Sequence, residues 1–389
     1  MSERTQRILW ILEAVVAACL TVATVYVYRE SRGAKHAGRI AYTVFDPGFE
    51  APRILTCDLD GGNTRRLTES GVAAAFPLCE PFSPESNRPP RIAFLRWPID
   101  AQPGGSHDAH TTAAGHVVGV EGGEAARVSG EHVQAQFVAP SWSPDGKQLV
   151  FAGVEDLNGD GEHRDDEAGI YVSDLGTGQT RRVADAEVMG LRLSWSPRDS
   201  RVIVPVKKAD APVAQAHILN VDTGKLAPIL NSTALCACWS PDGEYIAAYS
   251  LADGKIHVLQ SDGAEELQME GPSGHVVELV WTLAYPDDGG EPYDRAFAIS
   301  TTQLGESVGQ LSVWSAPPGE TGDWVSLADV RLPATYVTVS PDGRRVAYSS
   351  FTDADNADLY LLELDDGTHT LLTSGPGFKG LATWIPGGW

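Results

Sequence analysis

The sharpest chemical pattern in the chain is Asp156-Leu157-Asn158-Gly159-Asp160-Gly161-Glu162-His163-Arg164-Asp165-Asp166-Glu167. It matches the calcium-loop spacing D-x-[DN]-x-[DN]-G-x5-E at every required position. A hard cation such as Ca2+ takes about six to eight oxygen ligands. Alternate side chains Asp156, Asn158 and Asp160 can converge on one point, and Gly161 permits the sharp bend. Glu162 can offer its carbonyl, and Glu167 can bind with two oxygens. Without a cation, the carboxylates of Asp156, Asp160, Glu162, Asp165, Asp166 and Glu167 would repel one another. The flanks are not those of an EF-hand: Val150-Phe151 and Ile170-Tyr171-Val172 read as strands, and His163 replaces the usual apolar residue. The expectation is a structural Ca2+ held on a β-hairpin, weighed against a solvated acidic loop.

Weaker constellations read as structure. Asp353-Ala354-Asp355-Asn356-Ala357-Asp358 lacks both the Gly and the distal Glu, so a solvated hairpin is expected. His107, Asp108, His110 and His116 lie near Gly104 and Gly105 and could hold a transition metal. Their spacing defines no site, and a plain polar insertion is the better reading. Cys236 and Cys238 would point the same way from one strand. A Cys57–Cys79 bond is compatible with an oxidising compartment, though spacing does not establish it. No nucleophile–base set, phosphate loop or dinucleotide fingerprint occurs, so no catalytic residue is assigned and a non-enzyme is expected.

A repeated cassette must position these groups. Trp142-Ser143-Pro144-Asp145-Gly146, Trp239-Ser240-Pro241-Asp242-Gly243 and Val339-Ser340-Pro341-Asp342-Gly343 each precede a strand-like run, as does Trp195-Ser196-Pro197. Phe82-Ser83-Pro84 is a looser copy, and Trp281 begins a degraded one. Pro presets φ for the second position of a type I turn, Asp suits the third, and Gly accepts positive φ at the fourth. Further reversals are marked by Asp60-Gly61-Gly62, Thr177-Gly178, Asp222-Thr223-Gly224, Asp262-Gly263 and Asp366-Gly367. Each unit therefore reads as four short antiparallel strands. Strand-like runs at Ile40, Ile92, Leu149, Val202, Ile246, Ala296 and Val346 recur at roughly 44 to 57 residues, the period of propeller blades.

The fold class expected is all-β, a seven-bladed β-propeller of four-stranded blades over residues 39–389. The first unit lacks a leading strand, and the tail Thr383-Trp384-Ile385-Pro386-Gly387 looks like it. The C-terminal strand should close the ring beside Ile40 and remove an open edge. Trp142, Trp195, Trp239, Trp281 and Trp384 should pack between blades. Trp97, Trp314 and Trp324 break that register and are left over for a partner surface.

The chain has 389 residues and a formal charge of −23, with 42% hydrophobic and 21% charged residues. A sizeable core is available, and nucleic-acid backbones would be repelled, so no nucleic-acid partner is expected. Residues 1–7 read as a short tail, 8–28 as a transmembrane segment and 29–38 as a linker. Ile8 to Tyr28 is apolar but for Glu13 and a few Thr; as a helix, its ~21 residues would span ~31 Å. Arg4 and Arg7 precede it, and Arg29, Arg32 and Lys35 follow, so charge sets no orientation. An uncleaved single-pass anchor is expected, with the large domain on the periplasmic or extracellular side. A lipoprotein acylated at Cys19, within Val16-Ala17-Ala18-Cys19, and a cleaved signal peptide are the alternatives.

The Trp-Ser-Pro-Asp-Gly cassettes, with Ile170-Tyr171-Val172-Ser173-Asp174-Leu175 and Thr180-Arg181-Arg182-Val183, resemble the WD-like repeats of the TolB-type β-propeller family. The resemblance spans residues ~39 to 389 and speaks for fold more than function. It implies a propeller that binds partner proteins, as the Tol–Pal component does. The chain departs from that component in having no N-terminal α/β domain. It departs from prolyl-oligopeptidase-type relatives in having no Gly-x-Ser-x-Gly elbow, so no hydrolase domain is expected. A protein-interaction or scaffold module is therefore expected, with a subunit of a membrane complex as one form of it, its protein partner unidentified. The alternative is an enzyme or small-ligand sensor using the central channel.

Overall fold

Short apolar runs between turn residues fold here as short strands. The computed structural model describes residues 38–387, apart from 47–49, 82–87, 99–112, 161–166, 191, 209–212, 231, 285–292, 304–305, 316–321, 332–336 and 365. Every named element among the described residues is a β-strand, and no helix among them is long and apolar enough to cross a membrane. The expected helix over 8–28, the residues His107, Asp108 and His110, and the cassette at Phe82 lie outside the described residues.

The strands form successive antiparallel meanders. Arg39–Asp46 (β1), Glu50–Asp58 (β2) and Arg65–Arg66 (β3) come first. Ala73–Cys79 (β4), Arg91–Trp97 (β5), Ala114–Gly119 (β6) and Ala126–Arg127 (β7) follow as one sheet in chain order. Next, Gln134–Ala135 (β8) and Ser141–Trp142 (β9) both pair with Gln148–Val154 (β10), which leads to Ala168–Asp174 (β11) and Thr180–Asp185 (β12). Ser194–Trp195 (β13), Arg201–Val206 (β14), Gln215–Asn220 (β15) and Leu226–Pro228 (β16) make another sheet. Ala234–Trp239 (β17), Tyr245–Ser250 (β18), Lys255–Gln260 (β19) and Glu265–Glu270 (β20) make the next. His275–Ala284 (β21), Tyr293–Thr301 (β22), Val308–Ser315 (β23) and Asp323–Arg331 (β24) repeat the pattern. The last strands are Thr338–Val339 (β25), Arg345–Phe351 (β26), Ala357–Glu363 (β27), His369–Leu371 (β28) and Phe378–Ile385 (β29).

The tail joins the start. β29 pairs antiparallel with β1, setting Ile385 opposite Arg39 and Trp384 opposite Ile40. One parallel bridge, Ala357 to Phe378, connects β29 to β27, so the first and last strands share an eight-stranded sheet. Beside that bridge the buried Lys379 ammonium lies 3.1 Å from the Asp358 carboxylate. Thr373 Oγ1 donates to the same carboxylate at 3.2 Å.

The cassette turns share one hydrogen-bond set. In each Ser-Pro-Asp-Gly, the Gly amide donates to the Ser carbonyl, at 2.9 Å for Gly146, 2.9 Å for Gly243 and 2.8 Å for Gly343. The Ser hydroxyl donates to the Asp carboxylate and accepts the amide that opens the next strand, as in Ser143 with Asp145 (2.7 Å) and Gln148 (2.9 Å). These glycines have φ of 66°, 71° and 68°, values that a Cβ disfavours.

Sheets then pack face to face through their apolar sides. Val150, Ile170 and Val172 of one sheet meet Trp195, Val202, Val204 and Leu219 of the next in one buried cluster. Burying each such aliphatic side chain stabilises by roughly 1.5–3 kcal/mol. Cassette tryptophans tie one run of strands to the next by their indole N–H: Trp142 to the Leu78 carbonyl (3.0 Å) and Trp239 to Ser194 (3.0 Å) between sheets, and Trp384 to Thr338 (3.1 Å) across the eight-stranded sheet. Trp195 instead donates within its own turn, to the Asp199 carbonyl at 2.9 Å. Cys57, Cys79, Cys236 and Cys238 are free thiols, so the Cys57–Cys79 bond considered above is absent. Cys57 packs with Ile40 and Trp384, while Cys79 borders a different cluster around Ile92 and Phe94.

Candidate functional site

Among the described residues, the start and end of the acidic stretch meet, and a recess opens between sheets. β10 and β11 pair through Val154 and Ala168, so the acidic stretch lies between the two strands in the chain. Its first turn winds around Asp156: Oδ1 accepts the Gly159 and Asp160 amides at 2.7 and 3.1 Å. Asn158 Oδ1 accepts the Asp160 amide at 2.9 Å. Glu167 is buried at the far end, and its Oε1 accepts the Leu157 amide at 3.2 Å. The fold thus brings Glu167 back to the turn that carries Asp156, Asn158 and Asp160. Gly161 and Glu162 lie outside the described residues. Among the described residues no three His, Cys, Asp or Glu side chains are gathered as a metal site. The donors that are placed, carboxylate and amide oxygens on a curled turn, suit a hard cation.

The second acidic stretch is a closed hairpin turn. Asp353 Oδ1 accepts from the Asp355 and Asn356 amides at 2.9 and 3.0 Å. The Asn356 side-chain amide, with those backbone amides after it, holds the Asp353 carboxyl below the usual carboxylate range. His116 is buried in β6, with Nδ1 3.1 Å from the Ala114 carbonyl. Burial pushes its pKa down, with Arg96 and Arg127 adding to that, against the Ala114 carbonyl.

The recess was not anticipated from motifs. It has a volume of about 300 Å³, with walls from β21 (Val280, Trp281, Thr282), from Val337 to Pro341 at β25, and from Pro241 and Arg192. Four successive sheets contribute to it. Arg192 sits just ahead of β13, and its Nη2 donates to Glu278 Oε1 at 2.7 Å. Glu278 is mostly buried at 12% exposure, whereas Arg192 is 38% exposed at the rim. β21 contains a bulge, since Val276 and Glu278 oppose the consecutive residues Ser300 and Ile299. Such an extra residue re-aims the following side chain, and here that side chain is Glu278. β17 bulges likewise between Ala234 and Cys236. Cys236 and Cys238 pack beside Leu279 and Trp281, on one face of the strand as their spacing predicts. Burial pushes both thiols up, Cys238 to about 12, which keeps them protonated and poorly nucleophilic.

A signal for this recess did exist. Arg192 interrupts the apolar run Val188 to Leu193, and Glu278 interrupts Val276 to Trp281. A charge within an apolar leading strand needs a partner, and each supplies the other's.

No family model matches the chain. The Agrobacterium fabrum protein Atu1656 is 28% identical over 175 residues, which cover 44% of this chain and 55% of that one. The chain therefore spans about half the length of the curated relative it matches. Among solved structures, TolB from Acinetobacter baumannii superposes with a TM-score of 0.54 at 17% identity, covering 92% of this chain and 70% of that one. A putative 6-phosphogluconolactonase from Bacteroides fragilis gives 0.51 at 10% identity, covering 94% of this chain and 100% of that one. At such identities the likeness is one of architecture, and it identifies the chain as an all-β protein with a β-propeller fold resembling that of TolB.

Proposed function

We propose that the protein is a membrane-anchored, extracytoplasmic β-propeller that serves as a protein-interaction module. Dividing the eight-stranded sheet at the Ala357–Phe378 bridge leaves seven meanders, which we read as seven blades closed by β29. The observation that carries the functional reading is the recess, where four sheets meet at an apolar-walled opening rimmed by Arg192. In the seven-bladed reading it is one mouth of the central channel, a place where propellers receive groups from other molecules.

Residues 8–28 supply the anchor in this reading, by length and apolarity. Asp156, Asn158, Asp160, Glu162 and Glu167 would hold a structural Ca2+, which would neutralise the crowded carboxylates and fix the hairpin. Its size also suits the recess to a small ligand, which favours a sensor as the second reading.

The test is co-purification. The full-length chain is captured from membranes in mild detergent, beside an Arg192→Gln, Glu278→Gln double variant, which leaves no buried charge unpaired. A partner recovered with the parent chain and reduced with the variant supports the interaction reading. Equal recovery with both, or no stable partner, overturns it.

A further inference from the structure

We propose that the recess rimmed by Arg192 binds a single carboxylate carried on an apolar body. This deepens the interaction reading by naming the group that is received, and its test needs no partner protein, so the two readings fail separately. Arg192 makes one hydrogen bond among the described residues, from Nη2 to Glu278. Its other guanidinium N–H groups remain for a ligand at the rim. A planar guanidinium matches a carboxylate with two parallel hydrogen bonds, a geometry that Lys cannot reproduce. Thr282, which is buried, and Thr338 bring hydroxyls to the same cavity. Val280, Trp281, Val337 and Val339 supply apolar walls for the rest of the ligand.

Charge narrows the class further. The recess wall carries one cation, and Glu278 already takes part of its charge. The whole chain stands at −23. Polyanions such as nucleic acids or polyphosphates would meet net repulsion, whereas one carboxylate meets one fork. A cationic ligand is disfavoured because Glu278 is occupied by Arg192. The volume of about 300 Å³ lies at the small end of ligand sites, enough for one ring-bearing residue. The carboxylate has two possible sources, a free small acid and the C-terminus of a partner chain.

Titration of the full-length chain in detergent, read by calorimetry, tests the site. The probes are 3-phenylpropionate, its primary amide, and acetyl-Gly-Phe with a free or an amidated terminus. Both acids should bind at least about tenfold more tightly than their amides. Arg192→Gln should remove that preference and Arg192→Lys should restore it only in part. Glu278→Gln should tighten acid binding several-fold by removing the competing carboxylate. Arg192→Gln combined with Glu278→Gln leaves no buried charge unpaired and keeps the test valid if the single variant unfolds. Tighter binding of the peptide acid identifies a chain terminus as the source, and tighter binding of 3-phenylpropionate identifies a small acid. Acids and amides binding alike, no binding of either acid at millimolar concentration, or an acid preference that survives Arg192→Gln would overturn the proposal.

Discussion

Glu80 shows how one side chain can tie sheets together in this molecule. Its carboxylate is buried and accepts from Arg88 Nη2 at 2.6 Å and Arg91 Nη2 at 2.7 Å. The Arg91 guanidinium also donates to the Gly146 carbonyl at 2.8 Å and lies 5.0 Å from the Trp142 ring centre. Burial pushes the Glu80 pKa up, but the two arginines outweigh it and hold it below the usual range. A carboxyl depressed in this way stabilises fully above its unfolded pKa of ~4.3 and loses that contribution as pH falls through the lower folded value. Glu80→Ala leaves two partly exposed arginines without that carboxylate and should cost about 1.5–3 kcal/mol in urea unfolding at pH 7. The difference from the parent should shrink below pH 4. Buried histidines act higher on the pH scale. Burial depresses His217, with Lys208 adding to it against the Gln215 carbonyl, so the folded state favours the neutral ring. The unfolded chain takes up that proton below pH ~6.5, so stability should fall as pH drops from there. His217→Phe should flatten this part of a melting-temperature profile.

Elements divide between those legible in the amino-acid order and those that are not. The Ser-Pro-Asp-Gly turns were legible because proline, aspartate and glycine each do one local job at a fixed position. Gly243 has φ of 71°, and a Cβ there would lie 2.9 Å from Arg198 Cβ. Gly243→Ala should therefore destabilise by about 1–2 kcal/mol, measured by urea unfolding. The turn from Asp156 to Asp160 was legible for the same reason, since its residues are neighbours in the chain. Full-length protein with Ca2+ should melt above protein with a chelator, as any ligand of the native state alone stabilises it. Glu167→Gln should abolish that difference, and equal midpoints in the parent chain would rule out a bound ion. Bulges were not legible. Phe76 and Leu381 adopt left-handed φ of 61° and 54°, a conformation that neither residue type announces. The Arg192–Glu278 pair was hidden too, because its partners meet only after several sheets have stacked.

Closure dominates at the scale of the whole molecule. The tail's likeness to a leading strand was readable from Trp384 and the residues after it. Nothing local marked Lys379, whose buried ammonium pairs with Asp358 across the seam between β27 and β29. Lys379→Ala would strand a buried carboxylate and should cost roughly 3–5 kcal/mol. Replacing both residues with apolar ones of similar size, Lys379→Met with Asp358→Leu, should recover much of that loss in the same unfolding measurement.

The pairing of Arg39 with Ile385 also sets an order of events during synthesis. A ribosome makes β1 before the other described strands and β29 after them, so the opening sheet waits for its neighbour while the intervening strands emerge. Contacts between such distant parts of a chain form slowly. Throughout that interval the nascent polypeptide presents a bare strand edge, the kind of surface that chaperones shield and that crowded chains use to stick together.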